Sequence, residues 1–350
     1  MGVMIQETAW RTVVGHNWAL DLLRGAILHD RVGHAYLFTG PEHIGKTTLA
    51  RNFAMALNCQ AEDKAARPCG QCRPCRLIAE DRHPDVRLVQ PEVSGRGKRT
   101  LKIDEIRQLQ RDLNLAAYEA RHKIAILPHF DAATQGAANA FLKTLEEPPG
   151  NVVLLLTATE ADALLPTISS RCRIVALRPL SVAQISAALT TFWQMPEADA
   201  LQLAHLADGR IGWAIRAAQD DELLQERQQH LSLLDEALPA RRVGRFALAE
   251  DLAKDAELLP DILRTWLTWW RDLLLLSWSD GHGTLVNVDR RDSLVALSRT
   301  WQPEAILGAL HKTKEAIWQL RHNANTRLVV ENLLLAYPQV AEVAAEELAA

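Results

Sequence analysis

The stretch "GPEHIGKTT" at 40–48 meets the pattern G-x-x-x-x-G-K-[ST], with the apolar run "AYLFT" before it and the helical run "TLARNFAMAL" after it. In that context the backbone N–H groups of the loop and of the following helix cradle phosphates. Gly40, Gly45, Lys46, Thr47 and Thr48 are the candidate nucleotide-binding residues: Lys46 would reach the β/γ oxygens and Thr47 would hold Mg²⁺, so the expected ligand is ATP or ADP with magnesium. His43 stands where many such loops carry a third glycine, and a side chain there is expected to strain or narrow the loop. The bland alternative is a loop that keeps its shape and has lost its ligand.

Turnover needs more than a cradle. A P-loop ATPase organises its metal with an Asp at the end of a later core strand and usually polarises water with an adjacent acid. The strand expected at Lys123–Leu127 ends instead on Pro128 and His129. Proline offers no ligand, and an imidazole is a poor replacement for a carboxylate on a hard cation. Asp131 is expected to cap the next helix. Weak or absent hydrolysis follows, with nucleotide binding left open.

Cys69, Cys72 and Cys75 fall in a C-x₂-C-x₂-C run, and Cys59 supplies a fourth thiolate. Four sulfurs suffice for a closed tetrahedral zinc site with no open position, hence a structural one. The run also resembles an iron–sulfur sequence, but the expected next cysteine falls at Ala79. His83 is a replacement ligand or part of a restricted "HP" turn. Clustering of this kind suits a metal better than a disulfide framework.

The chain that must position these groups has 350 residues, 48% hydrophobic and 23% charged, with a net charge of -4. That length suggests two or three domains of about 150 residues each. The charge gives no whole-chain attraction to nucleic acid or anionic lipid. No uninterrupted apolar run reaches the ~18 residues of a membrane span, and Met1 to Arg11 lacks the character of a signal peptide, so the cytoplasm is the expected compartment.

Short apolar runs alternating with helical patterns predict a parallel α/β sheet with strands at Ala35–Thr39, Lys123–Leu127, Val152–Thr157 and Arg173–Leu177. The pattern turns helical after Pro179 and stays so, which divides the chain into 1–179, 180–220 and 221–350. Trp266, Trp269 and Trp270, at near-helical spacing, read as core or subunit-interface packing, with base stacking the minor reading. "SGRGKR" at 94–99 reads as an exposed basic loop that could meet a phosphate backbone.

The segments 34–59, "HPDV" (83–86), "AANAFLKTLEEPP" (137–149), "LLPTISSRC" (164–172) and "NANTRLVVENLLL" (323–335) together resemble the clamp-loader subunits of bacterial DNA polymerase III, most nearly the delta-prime branch. The gamma/tau branch is similar through "SRC" and the cysteines but normally has acids after the strand. The resemblance implies an AAA+ P-loop α/β module over 1–179 with an inserted zinc-binding segment at 59–83. It implies a small helical lid at 180–220 and an all-α collar at 221–350 that joins gamma/tau and delta subunits in a hetero-pentameric ring. The sliding clamp and primed DNA are implied partners of that ring, and no membrane is.

The resemblance further implies that Arg171, between Ser170 and Cys172, reaches ATP on a neighbouring subunit as an arginine finger; the alternative is a structural ion pair. An arginine keeps its charge at any relevant pH and offers a planar fork to a γ-phosphate. Cys172 is expected to be an apolar filler. Gly212 falls where a nucleotide-sensing arginine would lie, leaving Arg210 or Arg216 as substitutes. Thr157 and Thr159 are candidate γ-phosphate sensors or ordinary strand-end hydroxyls. The function expected is a largely non-hydrolysing scaffold. The alternatives are an active ATPase of the gamma/tau type and a zinc-dependent DNA-binding protein outside any ring.

Overall fold

The structure, a computed structural model, describes residues 10, 13–93, 99–278, 283–322 and 324–339. The expected absence of a leader at Met1–Arg11 and most of the basic loop at 94–99 lie outside the described residues, apart from Trp10 and Arg99. The chain divides into two compact units, Met1–Ala188 with Gly209–Gly212 and Leu189–Asp208 with Trp213–Ala350.

The first unit contains α1 (Asn17–Leu28), β1 (Ala35–Thr39), α2 (Lys46–Asn58), α3 (Arg73–Ala79), β2 (Val86–Leu88), β3 (Glu92–Val93), β4 (Arg99–Thr100), α4 (Ile103–Asn114), β5 (Lys123–Leu127), α5 (Gln135–Glu146), β6 (Val152–Ala158), α6 (Pro166–Ser169) and β7 (Arg173–Ala176). Five strands form one parallel sheet in the order β2-β5-β6-β1-β7. β3 and β4 pair separately as an antiparallel hairpin. The four strands expected from sequence are all present; β2 and the hairpin are additions, too short to show a period of their own.

Every residue of β1 and β6 is buried, as a parallel sheet covered on both faces requires. Alternate residues supply the two cores. Tyr36, Phe38, Ile124, Ile126, Val153 and Leu155 pack with α1 and α2 on one face. Leu37, Ala125, Leu127, Leu154 and Leu156 pack with Leu109 of α4 and Phe141 of α5 on the other. Parallel pairing brings the carboxyl ends of β1, β5 and β6 to one edge, where open α/β sheets place their ligands.

The remaining helices are α7 (Val182–Trp193), α8 (Glu197–Leu206), α9 (Ile211–Gln219), α10 (Glu222–Ala237), α11 (Arg242–Lys254), α12 (Leu259–Trp278), α13 (Arg291–Thr300), α14 (Pro303–Arg321) and α15 (Thr326–Ala336). In the second unit α12 packs on α10, α13 and α14, and α15 packs on α11 and α14. Trp266, Trp269 and Trp270 are buried at the centre with Trp301 and Tyr337, so the packing reading of the tryptophans holds. Trp269 and Trp270 meet edge to face at 4.8 Å.

Two buried charges belong to that bundle. The guanidinium of Arg245 donates to the carbonyls of Ala240, Leu238, Leu334, Tyr337 and Pro338, which places a cation at the C-terminal ends of α10 and α15. The Oδ2 of Asp272 accepts from the backbone of Val286 and Asn287 and from the Asn287 amide. Burial raises the Asp272 pKa.

Candidate nucleotide, metal and arginine sites

The loop after β1 has the shape that cradles phosphate. Gly40 has φ 142 and lies so close to the Leu177 carbonyl that a Cβ would sit 2.7 Å from it. Gly45 (φ 104) opens α2, whose first turn carries the half-buried Thr47 and Thr48. Lys46 is buried, and its ammonium donates to the carbonyls of Gly40 and Pro41 at 2.7 and 2.8 Å. His43 adopts the left-handed region at φ 60, the backbone strain expected of a side chain at a glycine position. Its carbonyl accepts from the Gly212 N–H at 2.7 Å. A Cβ on Gly212 would lie 2.6 Å from that same oxygen, so the position where an arginine sensor was sought has no room for any side chain. Arg210 and Arg216, the substitutes, stand just before α9 and in its last turn.

At the end of β5 the chain turns at His129, also left-handed at φ 51. Its backbone N–H donates to Thr157 Oγ1 at 3.0 Å. Nη1 of Arg99 lies 3.3 Å from both nitrogens of its ring. Glu42, within the phosphate loop, brings Oε1 to 3.3 Å from the same Arg99 nitrogen and 4.0 Å from His129 Nδ1. Burial lowers the His129 pKa, and the Arg99 and Lys46 charges lower it further against the pull of Glu42 and Asp131. The imidazole is therefore neutral at neutral pH.

Asp131 does not cap the following helix. Its Oδ2 accepts from the N–H and the hydroxyl of Thr159 at 3.0 and 2.8 Å, while Thr134 caps α5 by accepting from the Ala137 N–H. The correction has a simple cause: Asp131 sits in a short 3-10 turn that carries it beside the end of β6, a contact between residues 28 apart. Both sensor candidates thus have hydroxyls in hydrogen bonds, Thr157 to His129 and Thr159 to Asp131. Sequence reasoning missed Glu42 and Arg99. The signal for Arg99 was the basic loop whose last residue it is, but nothing local pointed that loop at the phosphate cradle.

Arg171 follows α6 on the surface. Its Nη1 donates to the Thr167 carbonyl at 2.8 Å and its Nη2 pairs with Glu146 at 2.7 Å. The side chain is 36% exposed, so the guanidinium remains accessible. Burial pushes the neighbouring Cys172 thiol up to about 12, which suits a filler and not a nucleophile.

The sulfurs of Cys59, Cys69, Cys72 and Cys75 all lie within 4.8 Å of one another. A tetrahedral ion with bonds of about 2.3 Å requires sulfur separations of about 3.8 Å, and Cys72 stands 4.0 Å from Cys59. Backbone N–H groups of Ala61 and Cys69 point at the Cys59 sulfur, and that of Cys72 at the Cys69 sulfur, donors that favour a thiolate, while burial raises the pKa of Cys59 and Cys75. Burial opposes ionisation of Cys69, yet N–H donors, Cys72 first, outweigh it and hold its pKa at about 7. The donor set fits one metal ion, and its tightness leaves no space for a multi-iron cluster. His83 is not among the clustered donors and so does not act as the replacement ligand: its Nδ1 accepts from the Asp85 N–H at 3.1 Å and its Nε2 faces Glu119 at 3.8 Å, in keeping with the turn reading.

Two family models match the chain, "DNA polymerase III, delta subunit" over residues 15–181 and "DNA polymerase III, delta subunit, C terminal" over residues 221–338. The DNA polymerase III subunit delta' of Bacillus subtilis is 29% identical over 328 residues, covering 90% of this chain and 94% of that protein. This chain belongs to the delta-prime family of DNA polymerase III. A second relative of this delta-prime-family chain, the delta' subunit of Pseudomonas aeruginosa, is 42% identical over 139 residues, 40% of this chain and 41% of that protein. The tau subunit of Escherichia coli is 35% identical over 190 residues, 53% of this chain and 28% of its own length. The five-stranded parallel sheet with its P-loop falls within the first matched region and most of the C-terminal helices within the second. No helix among the described residues of this delta-prime-family chain is long and apolar enough to cross a membrane.

Proposed function

We propose that the chain is a structural subunit of a DNA polymerase III clamp loader that lends Arg171 to ATP held by a neighbouring subunit and turns over little or none itself. The observation that carries the reading is the pairing of an intact phosphate loop with Pro128 and a neutral His129 at the end of β5. Glu42 and Asp131, the carboxylates near that imidazole, are held by Arg99 and Thr159. With its carboxylates engaged, the site lacks both a metal organiser and a general base.

Arg171 has the opposite character, a permanent charge at the surface tethered by one exposed carboxylate. In a ring, that side chain would meet the γ-phosphate of the adjoining site and stabilise charge as the terminal bond breaks. Arginine fingers accelerate NTP hydrolysis by on the order of 10³–10⁵. The expected partners are gamma/tau and delta subunits in a hetero-pentameric ring in the cytoplasm, acting on the sliding clamp and primed DNA. In this reading 180–220 is the lid and 221–350 the collar. Gly40, Gly45, Lys46, Thr47 and Thr48 hold the phosphates of any bound nucleotide, with Thr157 and Thr159 behind them as sensors. Thr47 is the residue that would hold magnesium if the ion entered with the nucleotide, and the ion would supply positive charge to the phosphates. Cys59, Cys69, Cys72 and Cys75 hold a structural zinc ion.

The test is ATP turnover by the purified chain and by the reconstituted loader with clamp and primed DNA. The reading expects negligible turnover alone and a large fall in the assembly carrying Arg171→Ala. Robust hydrolysis by the isolated chain, abolished by Lys46→Ala, would instead make it an ATPase of the gamma/tau type; the kept loop geometry favours that second reading.

A further inference from the structure

Four charged or polar groups from three separate segments converge on the phosphate cradle: Glu42 and Lys46 from the loop itself, His129 from the end of β5, and Arg99 from β4. Nη1 of Arg99 lies 3.3 Å from both His129 ring nitrogens and from the Glu42 carboxylate, which sets its charge beside the strand end where an ATPase of this fold keeps its metal-organising acids. An arginine there would repel a divalent cation from that spot. It can also do the cation's electrostatic work, because its planar fork donates two hydrogen bonds to phosphate and its charge does not titrate.

We propose that this pocket binds the polyphosphate of ATP or ADP without a divalent metal, with Arg99 supplying the charge that magnesium supplies elsewhere. The inference rests on the reading above that the chain turns over little or no nucleotide itself, and adds that the loop still binds one and how its charge is balanced. In the structure Glu42 is the anion on Arg99. An incoming phosphate takes the place of that carboxylate, and Lys46 exchanges the Gly40 and Pro41 carbonyls for phosphate oxygens. His129 remains neutral beside the guanidinium, with both ring nitrogens 3.3 Å from Nη1. Arg99 is 43% exposed and its partner Glu42 25%, so the arginine can leave the carboxylate without opening the core. With Pro128 and His129 in place of the acids, the chemistry favours a retained nucleotide over a hydrolysed one.

Equilibrium binding of ATP and ADP to the full-length chain, measured in EDTA and again in magnesium, tests the proposal. Affinity in EDTA is expected to stay within about tenfold of that in magnesium, and Arg99→Ala is expected to weaken binding in EDTA by about tenfold or more, the worth of a charge-assisted contact. Glu42→Gln removes the competing anion and is expected to tighten binding in EDTA. A larger magnesium requirement, no binding in either condition, or an Arg99→Ala chain that binds as well as or better than the parent would overturn the proposal. The last result would make Arg99 a plug. None of these outcomes touches the Arg171 assay, so the two readings fail separately.

Discussion

Arg171 and Glu146 are joined across 2.7 Å, and Glu146 belongs to the "LEEPP" turn that ends α5 while Arg171 follows α6. Two segments named together by family resemblance are thus in direct contact, and the contact fixes the direction in which the guanidinium leaves the surface. Exposed pairs of this kind contribute about 0–1 kcal/mol, so stability is not their main effect. Glu146→Ala is expected to move the thermal midpoint little, yet to lower partner ATP turnover in the assembly by less than Arg171→Ala does. Equal losses in both variants would show that Glu146 does more than orient its partner.

The four-sulfur site is checked by metal content. The protein is expected to carry about one zinc ion per chain. Cys72→Ser should release it and increase proteolysis and amide exchange within residues 59–83. Elemental analysis of parent and variant reads the first effect, and unchanged zinc would exclude the site.

Gly212→Ala separates two opposed effects. Alanine favours helix by about 1 kcal/mol over glycine, but its Cβ would stand 2.6 Å from the His43 carbonyl and push apart a 2.7 Å hydrogen bond. The contact is with backbone, which cannot swing away, so the clash should win with a net loss of about 1–3 kcal/mol. Denaturant unfolding measures it, and a stabilised variant would mean that the start of α9 stands off the loop.

Arg245→Met removes a buried cation that five carbonyls share. The methionine fills much of the volume but leaves those oxygens without their donor. A loss of about 3 kcal/mol or more is expected on chemical unfolding of the C-terminal helices, against less than about 1 kcal/mol for an exposed arginine such as Arg299.

His16 gives a pH dependence of known sign. Burial lowers its pKa, against a smaller rise from the Ile44 carbonyl. Its unfolded value is near 6.5, so above that pH the ring is neutral in both states and its contribution to stability is complete. As pH falls below about 6.5 the unfolded chain takes the proton first, and stability is lost by up to about 1.4 kcal/mol per pH unit until the lowered folded value is passed. Unfolding free energies at pH 7.5 and 5.5 should differ less in His16→Gln than in the parent.

Some of this protein could be settled from the residue string, because the determining forces act over a few neighbours. Apolar runs alternating with helical patterns placed β1, β5, β6 and β7; glycines and a lysine at fixed offsets marked the loop after β1; three cysteines within seven positions, with Cys59 upstream, marked a cluster that could hold a metal ion. Pro128 and His129 revealed a missing acid because a strand end is a local address. What no local pattern holds is which distant charges meet. Arg99 reaches a histidine 30 residues on, Asp131 reaches Thr159 across 28, and Glu146 holds Arg171. Asp131 meets Thr159 because parallel pairing brings the carboxyl ends of β5 and β6 to one edge of the sheet, Arg99 reaches His129 because Leu101 bonds the backbone of Ala132 and Thr134 just beyond that edge, and Glu146 meets Arg171 where α5 and α6 end; in each case the chain's long-range path, and no local pattern, decides the neighbour.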